Sequence, residues 1–129
     1  MATIAISETT HDQTVSDGIV LLDFWADWCG PCHMFAPVFD AASEKHSDIT
    51  FAKVDTEAEQ RLSASYGIRS IPTLVAYRDG IPVFSQAGAL PAEALEQLIA
   101  EVRKLDMGAV REAYEAHLAE RDGAAPAAD

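Results

Sequence analysis

The chain is predicted to form one α/β domain, a mixed central β-sheet flanked by helices, followed by an extra C-terminal helical segment. Three observations predict it. A nearly continuous apolar run over residues 19–26 is followed by a helical pattern and then by a second strand-like run over 49–55. Asp79-Gly80 stands between two more apolar runs, a strong hairpin signal. Leu95, Leu98, Ile99, Val102 and Leu105 then recur at helical spacing.

The elements follow in order. Residues 3–6 read as a short first strand and 8–17 as a short polar helix. Residues 19–26 are apolar enough to be a central strand buried on both faces. A helix is expected over 31–46. Pro31 falls in its first turn, where a missing N–H costs little, and Pro37 lies inside it and should kink it. A strand over 49–55 completes a strand–helix–strand unit, so these two strands should run parallel with a right-handed crossover. A short helix over 58–66 ends at Gly67, a natural C′ residue. Strands over 73–77 and 81–87 pair as a hairpin, and Pro91 opens the last helix. The domain is thus expected to span 1–105.

A C-terminal helical extension is expected over 106–122, broken from the domain near Met107-Gly108. Met107, Val110, Tyr114 and Leu118 form a stripe along it. The stripe can pack on the domain or fray, pair two chains, or bind a partner, and the first is favoured. Residues 123–129 have little to bury and are expected to be disordered.

Composition narrows the function. Nine Lys plus Arg against 21 Asp plus Glu give a formal charge of −12. Such a chain repels phosphate backbones, so nucleic acid is not an expected partner. No apolar run approaches the roughly 18 residues that span a bilayer, so no membrane partner is expected either. The N-terminus lacks a basic region before an apolar stretch and does not read as a signal peptide. A cytoplasmic location and a monomer are expected.

The two cysteines of the chain lie in Trp28-Cys29-Gly30-Pro31-Cys32, at the junction of the central strand with the helix. Two thiols at this spacing are the parts of a dithiol/disulfide switch. A purely stabilising disulfide is the plainer alternative, but so short a loop contributes little entropic stabilisation. A structural zinc site needs about four ligands, and His33 alone stands beside the pair. No metal is expected. Asp23 is the one charge in the central strand, so burial should raise its pKa, unless it lies at a solvated strand edge. Lys53 sits in mid-strand and has an exposed position as its plain alternative.

With these motifs placed, the chain resembles the thioredoxin family. Residues 23–32 (Asp-Phe-Trp-Ala-Asp-Trp-Cys-Gly-Pro-Cys), then Phe35-Ala-Pro37, residues 66–73 (Tyr-Gly-Ile-Arg-Ser-Ile-Pro-Thr) and Gly88-Ala-Leu90 fall in that family's order and spacing. The match covers residues 3–105. The resemblance implies a thioredoxin fold and a protein-disulfide reductase. Cys29 would be the nucleophile and Cys32 the resolving thiol. At a helix N-terminus the free N–H groups and the macrodipole favour a negative sulfur. Gly30 allows a tight approach and Pro31 stiffens the loop. The Gly-Pro dipeptide suggests the reducing branch of the family, as opposed to its oxidases and isomerases.

The resemblance further makes Asp23 a buried acid/base toward Cys32, tuned by Lys53. It makes the Ile71–Pro72 peptide cis, with the Ile71 backbone pairing with substrate. Trp28, Gly30, Pro31, Ile71, Gly88 and Ala89 would form an apolar docking patch, with a bulge residue as the plainer, less favoured alternative for Gly88. No cofactor would be bound. Electrons would come from NADPH through thioredoxin reductase and pass to disulfide-containing proteins such as ribonucleotide reductase, peroxiredoxins or methionine sulfoxide reductases. A redox-linked chaperone or scaffold is the alternative reading. His33 departs from the pattern, because many relatives carry Lys or Arg there.

Overall fold

The computed structural model describes residues 2–124, and side chains through Arg121. The element order is β1 (Thr3–Ala5), α1 (His11–Val15), β2 (Ile19–Trp25), α2 (Gly30–Lys45), β3 (Thr50–Asp55), α3 (Gln60–Ser65), β4 (Thr73–Arg78), β5 (Ile81–Ala87), α4 (Ala92–Lys104) and α5 (Met107–Ala124). The five strands form one sheet in the order β1-β3-β2-β4-β5. β1 and β2 flank β3 in parallel, while β4 runs antiparallel to both β2 and β5. The mixed sheet expected from the sequence is therefore present.

Strand periodicity divides the core. Side chains alternate faces along a strand. Leu21, Phe51, Leu74 and Ala76 accordingly pack with Phe35, Phe39, Leu95, Ile99 and Val102 of α2 and α4. Val20, Leu22, Phe24, Ala52, Val54 and Val75 pack on the opposite face with Val15 and Leu62 of α1 and α3. Odd-numbered residues of β2 and β3 thus face α2 and α4. That parity places both Asp23 and Lys53 on the face that α2 covers.

The hairpin follows from its turn residues. Asp79 and Gly80 both take positive φ, 53° and 84°, the two-residue geometry that matches strand twist. A register shift interrupts the β4–β5 pair between Ala76 and Tyr77: Ala76 pairs with Phe84 and Tyr77 with Pro82, which leaves Val83 as the extra residue of β5. Pro82 cannot donate to the ladder, which suits an edge strand carrying an irregularity.

At the C-terminal end the sequence expectation needs two adjustments. The break falls at Leu105 and Asp106, not at Met107-Gly108. Asp106 caps α5: its carboxylate accepts the Ala109 N–H at 3.2 Å and its carbonyl the Val110 N–H at 2.9 Å. Short acidic caps satisfy helix N–H groups well, and the glycine is carried inside the helix. Gly123 and Ala124, expected in a disordered tail, continue α5, as the high helix propensity of Ala favours. Residues 125–129 of that tail lie outside the described residues. Among the described side chains of α5, Met107, Val110, Tyr114 and Leu118 are the half-buried ones. Val110, Ala113, Tyr114 and His117 face Ile81, Pro82 and Val83 across a cavity of about 360 Å³.

Candidate redox site

The site is built where β2 ends and α2 begins. Cys29 is the N-cap residue of α2, with extended backbone at φ −90° and ψ 112°. Its Sγ takes the place of a capping oxygen and accepts the backbone N–H of Cys32 at 3.2 Å. A sulfur seated among the free N–H groups of a helix N-terminus is best satisfied when negative. Cys29 and Cys32 are disulfide-bonded, with Cα atoms 5.3 Å apart, and each is 4% exposed. The Cys29 Sγ lies 3.6 Å from the Ile71 carbonyl oxygen. The loop before β4 therefore abuts the redox sulfur.

Pro72 is buried and the Ile71–Pro72 peptide is cis. The Pro72 carbonyl accepts the Gly88 N–H at 2.7 Å. Gly88 has φ +105°, a conformation that L side chains rarely adopt, so a glycine there lets β5 end against the Pro72 loop. Ala89 follows it on the exposed surface. Trp28 is 70% exposed beside the cysteines. Gly30 and Pro31 are exposed as well. A Cβ added at Gly30 would meet nothing within 4 Å. Nothing inside the chain requires glycine at that position, so any close approach there concerns a partner.

Asp23 is 1% exposed, and its Oδ1 has no hydrogen-bond partner. Burial pushes its carboxyl up to about 6, against the opposing pull of the Lys53 ammonium. Asp23 and Lys53 are paired in register across β2 and β3. Lys53 is half-buried, and its Nζ sits 4.9 Å from the centroid of the Trp25 ring. The solvated-edge alternative for Asp23 and the exposed alternative for Lys53 do not describe these positions.

All eleven residues singled out from the sequence thus have a defined place. Cys29, Cys32, Ile71, Pro72, Gly88 and Trp28 gather around the disulfide or its adjoining loop, while Asp23 and Lys53 lie on the sheet face beneath α2. The structure adds groups that the sequence left unmarked. Thr56, Glu57, Gln60, Ile68, Arg69 and Ser70 join Trp28 and Ile71 around a depression of about 320 Å³. Met34 is 73% exposed in the first turns of α2. Which side chains flank Trp28 depends on where α3 docks, and no local sequence pattern carries that information. Among the described residues no group of three or more His, Cys, Asp or Glu is arranged to hold a metal ion.

The fold and site can be set against known proteins. The thioredoxin family model matches residues 2–101. A Streptomyces coelicolor protein named as a thioredoxin 2 is 50% identical over 113 residues, covering 87% of this chain and 84% of that protein. The thioredoxin of Bacillus subtilis is 39% identical over 100 residues, covering 77% of this chain and 96% of that one. Among solved structures, a single-residue mutant of a thioredoxin from Halobacterium salinarum superposes with a TM-score of 0.73 at 38% identity, covering 80% of this chain and 91% of that one. With a mixed five-stranded sheet, a Cys29–Cys32 disulfide capping α2 and relatives of this closeness, the chain belongs to the thioredoxin family and is a thiol–disulfide oxidoreductase.

Proposed function

We propose that the chain is a protein-disulfide reductase in which Cys29 attacks and Cys32 resolves. The observation that carries this reading is the seat of the Cys29 sulfur as the N-cap acceptor of α2. In the reduced protein Cys29 is the thiol with N–H groups aimed at it, so it ionises more readily. Cys32, in the first helical turn, waits as a thiol. The Cys29 thiolate attacks one sulfur of a substrate disulfide, forming a mixed disulfide and expelling the second substrate sulfur as a thiolate. Cys32 gives its proton to the Asp23 carboxylate and attacks Cys29 Sγ. The Cys29–substrate bond breaks, the Cys29–Cys32 bond forms, and the substrate leaves with both sulfurs reduced. A carboxyl held near 6 accepts and returns a proton around neutrality with little penalty either way.

Lys53 tempers Asp23, since its positive charge opposes the rise that burial causes. The Ile71 carbonyl, 3.6 Å from the attacking sulfur, pairs with the substrate backbone. Trp28, Gly30, Pro31, Gly88 and Ala89 supply the docking surface around it. Thioredoxins bind no cofactor. In this reading electrons arrive from NADPH through thioredoxin reductase, and the chain works as a cytoplasmic monomer with residues 1–105 as the redox domain and α5 as an appendage.

The test couples NADPH oxidation to reduction of a disulfide protein such as insulin through thioredoxin reductase. The wild-type chain is expected to turn over catalytically, and Cys29→Ser to abolish turnover. Cys32→Ser is expected to stall with substrate bonded to Cys29, seen by mass. Trapping through Cys32 in a Cys29→Ser variant, with none through Cys29, would reverse the assigned order.

A further inference from the structure

We propose that His33 is a positioning residue of the redox loop: its imidazole clamps the Asp27 carbonyl and so holds the two thiols at the spacing at which they close. The ring turns back over the loop, and Nε2–H donates to the Asp27 carbonyl at 2.5 Å. This contact spans six residues and encloses both cysteines. The backbone N–H of His33 also donates to the Cys29 carbonyl at 3.3 Å, while the Cys29 N–H reaches the Ala26 carbonyl at 3.2 Å. The backbone bond is the first i→i−4 bond of α2, which any residue but proline would make here, so the ring contact to Asp27 is what the histidine itself adds.

A carbonyl only accepts, so the ring must carry a proton on Nε2. The neutral Nε2–H tautomer and the imidazolium both provide it, so the clamp needs a donor and no charge. That separates His33 from an electrostatic role of the kind a Lys or Arg at this position would play. The side chain is otherwise exposed, with no part in the core.

The consequence lies in the dithiol–disulfide equilibrium. In the oxidised protein the covalent bond already restrains the loop. In the dithiol the short Gly30-Pro31 tether and noncovalent contacts alone keep Cys32 near Cys29, and effective concentration falls as that loop gains freedom. Losing the clamp therefore favours the dithiol, making the pair less reducing and closing it more slowly. The net effect of one hydrogen bond corresponds to about a fivefold change, or about 20 mV at about 30 mV per tenfold.

The inference rests on the reading of Cys29 and Cys32 as a closing pair, but its test is independent of which sulfur attacks first. Reduced protein is equilibrated with the cyclic disulfide of dithiothreitol. Two electrons and two protons pass from Cys29 and Cys32 to it, giving the protein disulfide and dithiothreitol dithiol. His33→Leu removes the donor. His33→Gln keeps an amide N–H at similar reach. Both replacements are uncharged, so a difference between them reads the donor alone. The expected result is a disulfide-formation constant about fivefold lower in His33→Leu, with His33→Gln within about twofold of wild type. A mixed disulfide with a model peptide should also persist several-fold longer in His33→Leu. Equal constants for the Leu and Gln variants, whether shifted or not, would overturn the clamp and leave His33 an ordinary exposed helix residue. Failure of the Cys29-first order would instead appear in the trapping experiment and leave the Leu–Gln difference standing.

Discussion

At the scale of single residues, Asp23 carries the sharpest consequence. Its carboxyl titrates near 6 in the folded chain against an ordinary 3.8. The native state therefore holds this proton more tightly than the unfolded state. The resulting stabilisation is complete below about pH 4 and is lost as pH rises through about 6. Above that the buried carboxylate costs about 3 kcal/mol, two pKa units at about 1.4 kcal/mol each. Asp23→Asn should be more stable than wild type by about 2–3 kcal/mol at pH 8 and by little near pH 4, while resolving mixed disulfides more slowly. Denaturant titrations at the two pH values check the first part, and a pH-independent difference would refute it. Asp23 was legible in the sequence because one charge in a strand with no wet face is conspicuous. The His33 contact was not, since whether an exposed ring points to solvent or folds back onto a carbonyl is decided by rotamer choice.

At the scale of elements, β4 and α4 are tied by Arg78. Its Nη1 donates to the carbonyls of Val102, Arg103 and Leu105 at 2.9, 3.2 and 3.1 Å. It thereby serves the carbonyls at the C-terminal end of α4, adding to the Leu105 N–H that the Val102 carbonyl already accepts at 3.4 Å, and sets a positive charge at the negative end of the helix dipole. Arg78→Ala should destabilise the chain by about 2 kcal/mol, with unfolding still cooperative. A loss under about 0.5 kcal/mol would show that solvent serves those carbonyls equally well. The hairpin and the amphipathic face of α4 were readable locally, from Asp79-Gly80 and from Leu95, Ile99 and Val102. The Arg78 cap joins residues 24 to 27 apart in the chain, and no local pattern announces it. The seat of α5 was half-readable: the Met107, Val110, Tyr114 and Leu118 stripe marks its inner side, but only the fold shows that β5 lies opposite. A chain ending at Asp106 should keep its disulfide-exchange rate within about twofold, because α5 faces Ile81, Pro82 and Val83 and contributes nothing to the redox loop. Loss of exchange in a folded truncation would tie α5 to the site.

At the scale of the whole molecule, charge and topology act together. The formal charge of −12 favours encounter with basic disulfide proteins. Reduction of a basic substrate should slow several-fold between about 10 mM and 200 mM salt, while a neutral peptide disulfide should change little. Equal salt dependence for both would remove steering from the account. The topology brings the end of β2, the start of α2 and the loop before β4 together at one end of the central strands, so one sulfur meets a helix N-terminus and the Ile71 carbonyl at once. The order and type of the elements were legible from hydrophobic period and turn residues, and the site was legible from motif spacing. The shape of the depression beside Trp28 was not, because it depends on how separate elements dock. The equilibrium potential of the Cys29–Cys32 pair, titrated against dithiothreitol and followed by Trp25 and Trp28 fluorescence, decides whether the chain is a reductase. A reductase requires a value near the thioredoxin family's about −270 mV, which is a property of the family and not a value obtained from this geometry. A value near about −180 mV, the range of disulfide isomerases, would contradict it and make the chain a donor of disulfides.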